Sequence, residues 1–132
     1  MDYYHILQEK LKFSVEKIPF KDHVGILYSG GIDSSIISSI IINSSSFKNI
    51  LGVVAGLSGS YDIQNAISNA KSIKLPLSIV EFSIDDVKKV LPSLIKILPI
   101  SNIVTLSIYI PIYFALRFLS KQKISNIIVG QG

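Results

Sequence analysis

The sequence predicts an α/β protein built on a doubly wound parallel sheet. Four short apolar runs, near residues 24–28, 49–56, 78–82 and 126–129, alternate with longer helical patterns. Strands separated by helices at this spacing call for crossover connections and a parallel sheet. The second run is continuously apolar (Ile50, Leu51, Val53, Val54), which suits a strand covered on both faces. The first run ends in Ser29-Gly30-Gly31, a turn that feeds directly into a helical pattern.

Each element has its own signal. Tyr4 to Lys17 reads as a helix, with Ile6, Leu7, Leu11 and Val15 at helical spacing and Gln8, Glu9, Lys10, Lys12 and Glu16 facing outward. Pro19 ends it. Val24 to Tyr28 is the first strand. The next helix runs from about Ile32 to Asn43, with Ile36, Ile37, Ile40 and Ile41 on one stripe and serines on the other side. Asn43 to Lys48 is a polar loop, and Asn49 to Gly56 is the second strand. Gly56-Leu57-Ser58-Gly59-Ser60-Tyr61-Asp62 then turns into a helix reaching about Ile73, capped by Ser60 or Asp62. Ser78 to Phe82 is the third strand. Ser83-Ile84-Asp85-Asp86 has the form of a capping box opening a helix from Asp85 to about Leu98, in which Pro92 predicts a kink. Val104 to Lys121 is the last helix and Asn126 to Val129 the last strand.

Composition excludes several classes. The chain of 132 residues is 48% hydrophobic and 17% charged, so it is one globular domain and not a disordered segment. It has no cysteine, which removes disulfides, a thiolate nucleophile and thiolate metal sites. The net charge of +4 comes from dispersed lysines, with Arg117 the only arginine. No basic-aromatic stripe points to nucleic acid. His5 and His23 stand apart from acidic or histidine neighbours at ligand spacing. Ile97 to Leu119 approaches the length of a membrane span. Pro99, Pro111, Asn102 and Arg117 interrupt it, so the expectation is a buried helix and no membrane. The amphipathic, charged Met1 to Lys21 is not a signal peptide, and the expected compartment is the cytoplasm.

The chemistry concentrates in Ser29-Gly30-Gly31-Ile32-Asp33-Ser34-Ser35. A strand that turns through glycines into a helix N-terminus presents unpaired amides and the positive end of the helix dipole to an anion. Gly30 and Gly31 let a phosphate approach, and Ser29, Ser34 and Ser35 add hydroxyls. Asp33 facing a phosphate makes electrostatic sense only with a cation such as Mg2+ between them.

This segment resembles the Ser-Gly-Gly-x-Asp-Ser/Thr loop of the ATP pyrophosphatases, whose ligases release AMP and pyrophosphate. Within that superfamily the chain is most similar to the synthetase domain of asparagine synthetases. Gly56 to Asp62 matches their Gly-x-x-Gly-Ser-x-Asp stretch, Pro111-Ile112-Tyr113 their Pro-x-Tyr, and Val129-Gly130-Gln131-Gly132 the start of their Ser-Gly-Glu-Gly loop. The resemblance implies an adenine nucleotide alpha hydrolase-like, three-layer fold over residues 1–132, with ATP and Mg2+ as cofactors. It places Ser29, Gly30, Gly31, Asp33, Ser34 and Ser35 at the phosphates and their magnesium, the backbone around Ala55 at the adenine, and Gly130 beside the nucleotide. It assigns no catalytic side chain.

The departures shape the expected function. The glutaminase domain and its cysteine nucleophile are missing, so nitrogen would come from free ammonia or an ammonia-delivering subunit. Ser107 stands where the family carries an arginine that helps bind aspartate, and serine makes no bidentate clamp on a carboxylate. The match breaks off at Gly132, ahead of a second metal-binding aspartate and a catalytic lysine, so the domain reads as truncated relative to the family. The expected function is the ATP-binding domain of a ligase that adenylates a small carboxylate for amidation; the alternative is a non-catalytic nucleotide-binding subunit or sensor. The apolar helices and a sheet edge admit a homodimer. The chain has no Walker motif, no dinucleotide Gly-x-Gly-x-x-Gly and no Ser-His-Asp set.

Overall fold

A computed structural model of the chain describes residues 2–98 and 102–130. Nine elements follow one another: α1 (Tyr3–Glu16), β1 (Asp22–Leu27), α2 (Ile32–Asn43), β2 (Lys48–Leu57), α3 (Tyr61–Ser72), β3 (Leu77–Phe82), α4 (Ile84–Ile97), α5 (Ile103–Lys121) and β4 (Asn126–Val129). The strands form one parallel sheet in the order β3-β2-β1-β4. Register places Val24 beside Ile50 on one side and beside Asn126 on the other. Strand order therefore reverses at β1, whose first crossover leads to β2 while β4 arrives from the far end of the chain. The predicted doubly wound sheet is the one observed, with element boundaries within two residues of expectation.

Alternation along the strands supplies two cores. Val24, Ile26, Tyr28 and Val54 face α1, α2 and α3, joined by Ile41, Ile63, Ala66 and Leu75. Leu27, Leu51, Val53 and Ala55 face the other way, against Ala115 and Leu119 of α5. Period-two alternation with apolar residues on both sides is what a sheet sandwiched between helices requires. At the opposite edge from the Ser-Gly-Gly turn, Asn49 Nδ2 donates to the Asp22 carboxylate (2.7 Å) and Asn126 Nδ2 to the Asp22 carbonyl (3.3 Å), tying the starts of β1, β2 and β4.

Three expectations need correction. In α2 the serines are not all on the outer face: Ser34 and Ser38 are buried against the sheet with Ile41, while Ile32 is 79% exposed and Ile36 42%. Ser34 and Ser38 stand four residues apart, the spacing of neighbours on one helix face. In α1 only Val15 of the predicted stripe is buried, while Ile6 and Leu7 stay exposed. In α5 the expected burial holds for the second half, through Ala115 and Leu119, whereas Ile103, Val104 and Ile108 are exposed. By length and composition α5 would span a membrane, with a mean hydropathy of 1.7. A core helix passes the same test, and α5 lies on β1, β2 and β3.

The capping box predicted for α4 is present in full. Ser83 Oγ accepts from the Asp86 amide (3.1 Å), and the Ser83 amide and hydroxyl both donate to Asp86 Oδ2 (2.9 and 2.7 Å). The helix continues through Pro92 to Ile97; Pro99 lies outside the described residues. The bonds from Ser83 hold the Asp86 carboxyl below its ordinary value of 3.8. A depressed carboxyl stabilises the fold above its unfolded pKa, and that contribution fades as pH falls through the lower folded value. Ser83→Ala keeps the larger contribution, from the Ser83 amide, and removes the hydroxyl bond, so the Asp86 titration is expected to return part of the way toward 3.8, followed by carboxyl NMR. An unchanged midpoint would show that the amide bond alone sets it.

Candidate nucleotide site

The turn after β1 is built by a few short contacts. The Tyr28 amide still donates to the Val53 carbonyl (2.8 Å), so the sheet holds the chain up to the turn. Gly30 then takes φ +78°, a left-handed conformation costly for any residue with a Cβ. A Cβ there would also lie 2.7 Å from Cα of Ala66, because α3 packs directly on the turn. Gly31 is the N-cap of α2 and offers no side-chain cap. The first amides of α2, at residues 32–34, lack intrahelical partners and are left to whatever anion sits above them.

The serine hydroxyls are engaged within the loop. Ser34 Oγ donates to the Gly31 carbonyl (3.2 Å) and pairs with Ser29 Oγ (3.1 Å), while the Gly31 amide donates to Ser29 Oγ (3.2 Å). Each hydroxyl has one proton, so the pair works when Ser29 donates to Ser34. Ser35 Oγ pairs with the buried Tyr28 hydroxyl (2.9 Å). These bonds pre-shape the loop, engage the Gly31 amide, and leave the amides at residues 32–34 as the free donors.

A cavity of about 180 Å³ opens beside the loop at the carboxyl ends of β1, β2 and β4. Of the residues predicted for the site, Ser29, Ser34, Ala55 and Gly130 line it, together with Pro111 and Ile112 of α5. Gly130 is pressed against the loop, since a Cβ there would come within 3.0 Å of Ser34 Cα. Asp33 is exposed in the first turn of α2 and does not line the cavity. Ser35 lines a separate groove between α1 and α2 with Tyr4. Gln131 and Gly132, the end of the predicted last loop, lie outside the described residues.

No group of three or more histidine, aspartate or glutamate side chains able to hold a metal occurs among the described residues. Asp33 alone fits the way Mg2+ is held in phosphate sites, by one or two carboxylates with phosphate oxygens and water completing the shell.

A second cavity of about 300 Å³ adjoins the first, sharing Ala55 and Pro111. Its walls come from β2, β3, α4 and α5 and are mostly apolar, with Ser60, Ser107 and the charged Asp62 among them. Ser60 occupies the N-cap position of α3 without a side-chain cap bond, and its Oγ is buried without a partner. The capping expected of Ser60 is therefore absent, while Asp62 sits in the first turn where the dipole favours it. Ser107 Oγ donates to the Val104 carbonyl (2.7 Å) within its own helix.

The sequence model of the asparagine synthase family matches residues 7–132, loop, both cavities and last strand included. The chain belongs to the asparagine synthase family. A Methanocaldococcus jannaschii protein named as an asparagine synthetase (glutamine-hydrolyzing) is 28% identical over 127 residues, 96% of this chain and 23% of that protein. The chain thus spans about a quarter of the length of this relative. Among solved structures, an NH3-dependent NAD synthetase from Campylobacter jejuni superposes with a TM-score of 0.64 at 21% identity, over 100% of this chain and 58% of that one. The NMN synthetase of Francisella tularensis superposes with a TM-score of 0.54 at 18% identity, over 97% of this chain and 52% of that one. These two share the fold.

Asn69 is the contact that sequence reasoning missed. Its Nδ2 donates to the Gly30 carbonyl at 2.7 Å, across 39 residues of chain. Nothing local marks it, because Asn65 and Asn69 at a four-residue spacing read as a polar, solvent-facing pair.

Proposed function

We propose that residues 1–132 form the ATP-binding domain of an asparagine-synthetase-like ligase that adenylates a small carboxylate for amidation. One observation carries the reading: open helix amides and a left-handed Gly30 stand beside a cavity at the point where strand order reverses. Ligands of doubly wound sheets bind at that point.

In this reading the adenine lies against Ala55 and Gly130, and the triphosphate lies over Gly31 to Ser34. A carboxylate oxygen attacks the α-phosphorus, the bond to the bridging oxygen breaks, and pyrophosphate leaves with that electron pair. Ammonia then attacks the acyl carbon, AMP departs as the C–O bond breaks, and a proton is lost to give the amide. The chain's part is positioning and charge stabilisation by fixed amides, the main resource in nucleotidyl transfer. Magnesium held at Asp33 would supply neutralisation of phosphate charge when bound. The second cavity, contiguous through Ala55 and Pro111, takes the acceptor; its walls and the internally bonded Ser107 do not favour aspartate. Dependence on ATP makes the cytoplasm the setting of this reading.

The test is calorimetric titration with a nonhydrolysable ATP analogue, with and without magnesium. Magnesium-dependent binding is expected in the wild type. Asp33→Ala is expected to remove the magnesium dependence and weaken binding at least tenfold, a loss of about 1.4 kcal/mol, with the thermal midpoint unchanged. Unchanged affinity in that variant would refute the role of Asp33. Binding without pyrophosphate release on a panel of carboxylates plus ammonia would favour the non-catalytic alternative, which the occupied Ser107 hydroxyl supports.

A further inference from the structure

We infer that Asn69 is a positioning residue for the pyrophosphate loop, acting through the Gly30 peptide. This rests on the reading of residues 29–35 as that loop.

Gly30 can hold its left-handed conformation in more than one peptide orientation, since glycine has no side chain to restrict it. The orientation present is fixed from outside the loop. Asn69 Nδ2 donates to the Gly30 carbonyl at 2.7 Å and lies 3.5 Å from Asn65 Oδ1, one turn earlier on α3. Ala66, on the same face of α3, closes the space over the Gly30 Cα. Asn65, Ala66 and Asn69 thus form a seat on which the loop rests. With the Gly30 carbonyl drawn down onto α3, the next amide, that of Gly31, donates to Ser29 Oγ on the cavity side. The carbonyl is also kept out of the cavity, where its negative end would oppose a phosphate.

Loss of the seat therefore affects the phosphate part of a nucleotide and leaves the adenine wall at Ala55 and Gly130 intact. That separates positioning from a general packing role. The experiment titrates the full chain and its Asn69→Ala and Asn69→Asp variants with the magnesium-bound ATP analogue and with adenosine. Asn69→Asp preserves shape and removes the donor at neutral pH.

Both variants are expected to bind the analogue about tenfold or more weakly, within the range of one hydrogen bond's orienting effect, and adenosine as well as wild type does. Equal losses for both ligands, or no loss for either, would overturn the inference. Backbone amide shifts of Gly30 and Gly31, measured without ligand, provide a second and independent readout. They are expected to move in both variants, and unmoved shifts would overturn the inference even if the wild-type chain binds no nucleotide. Failure of wild-type binding alongside shifted amides would strike the nucleotide reading and leave the seat standing.

Discussion

Gly30→Ala is expected to cost about 3 kcal/mol of stability and to abolish nucleotide binding. Two effects add. An L-residue at φ +78° loses roughly 1–2 kcal/mol to the clash of its Cβ with its own backbone. The same Cβ would stand 2.7 Å from Ala66 Cα and 3.0 Å from its amide nitrogen, overpacking of a kind that costs about 1–3 kcal/mol. Against a total of about 5–15 kcal/mol for a domain, the loss is large. Urea denaturation should show a lower midpoint at unchanged slope, the signature of lost stability without a change in exposed surface. Ala66→Gly should not rescue it, because the two nearest obstructing atoms belong to the main chain. A loss below about 1 kcal/mol would mean that α3 yields readily and that the loop is not clamped as described.

Leu119→Ala is expected to cost about 2–5 kcal/mol, the range for emptying a buried leucine site. Leu119 is fully buried and, with Val53 and Ala115, forms the small core on the α5 face of the sheet. Its methyl groups cover Gly25, at 2.9 Å from where a Cβ would stand, so the strand residue directly beneath it has no side chain to fill the vacancy. Leu116, 37% exposed on the same helix, provides the control: its alanine variant should cost well under half as much. Because Pro111 and Ile112 of α5 wall the cavity beside the loop, the proposed nucleotide site, Leu119→Ala should also weaken binding of the ATP analogue. Equal losses for the two leucines would show that α5 is not seated through Leu119.

Much of this was legible in the sequence, for reasons that differ by element. The helix from Ile32 to Asn43 kept its predicted ends because Gly31 and the polar stretch after Asn43 punctuate it locally. The Ser83 capping box was legible because its partners lie three residues apart. The inward face of the same Ile32–Asn43 helix was not: hydrophobic periodicity assumes that the larger apolar side chains go inside, and here Ser34 and Ser38 are buried while Ile32 and Ile36 are exposed. The exposed first half of α5 was misjudged because apolar composition reports what could be buried and not what covers it. Of the candidate site, the loop was marked by its motif, and the family resemblance pointed to Ala55 and Gly130, which the structure brings to one cavity with Ser29 and Ser34. The internal bonding of the serines and the contact from Asn69 arise from tertiary packing across tens of residues.

The placement of β4 beside β1 has a consequence for synthesis. The Asp22 carbonyl meets Asn126 across 104 residues of chain, and Gly130 reaches the Ser34 backbone across almost as many. A ribosome extending the chain at about 5–20 residues per second releases the Ser-Gly-Gly turn, α2 and the second and third strands well before this last neighbour exists. Pairing of β1 with β2 is near in sequence and quick, whereas closure against β4 carries the loop entropy of the intervening hundred residues. On the nascent chain the turn therefore forms seconds ahead of the wall that Gly130 provides, and the cleft beside the turn is completed only once β4 has been made.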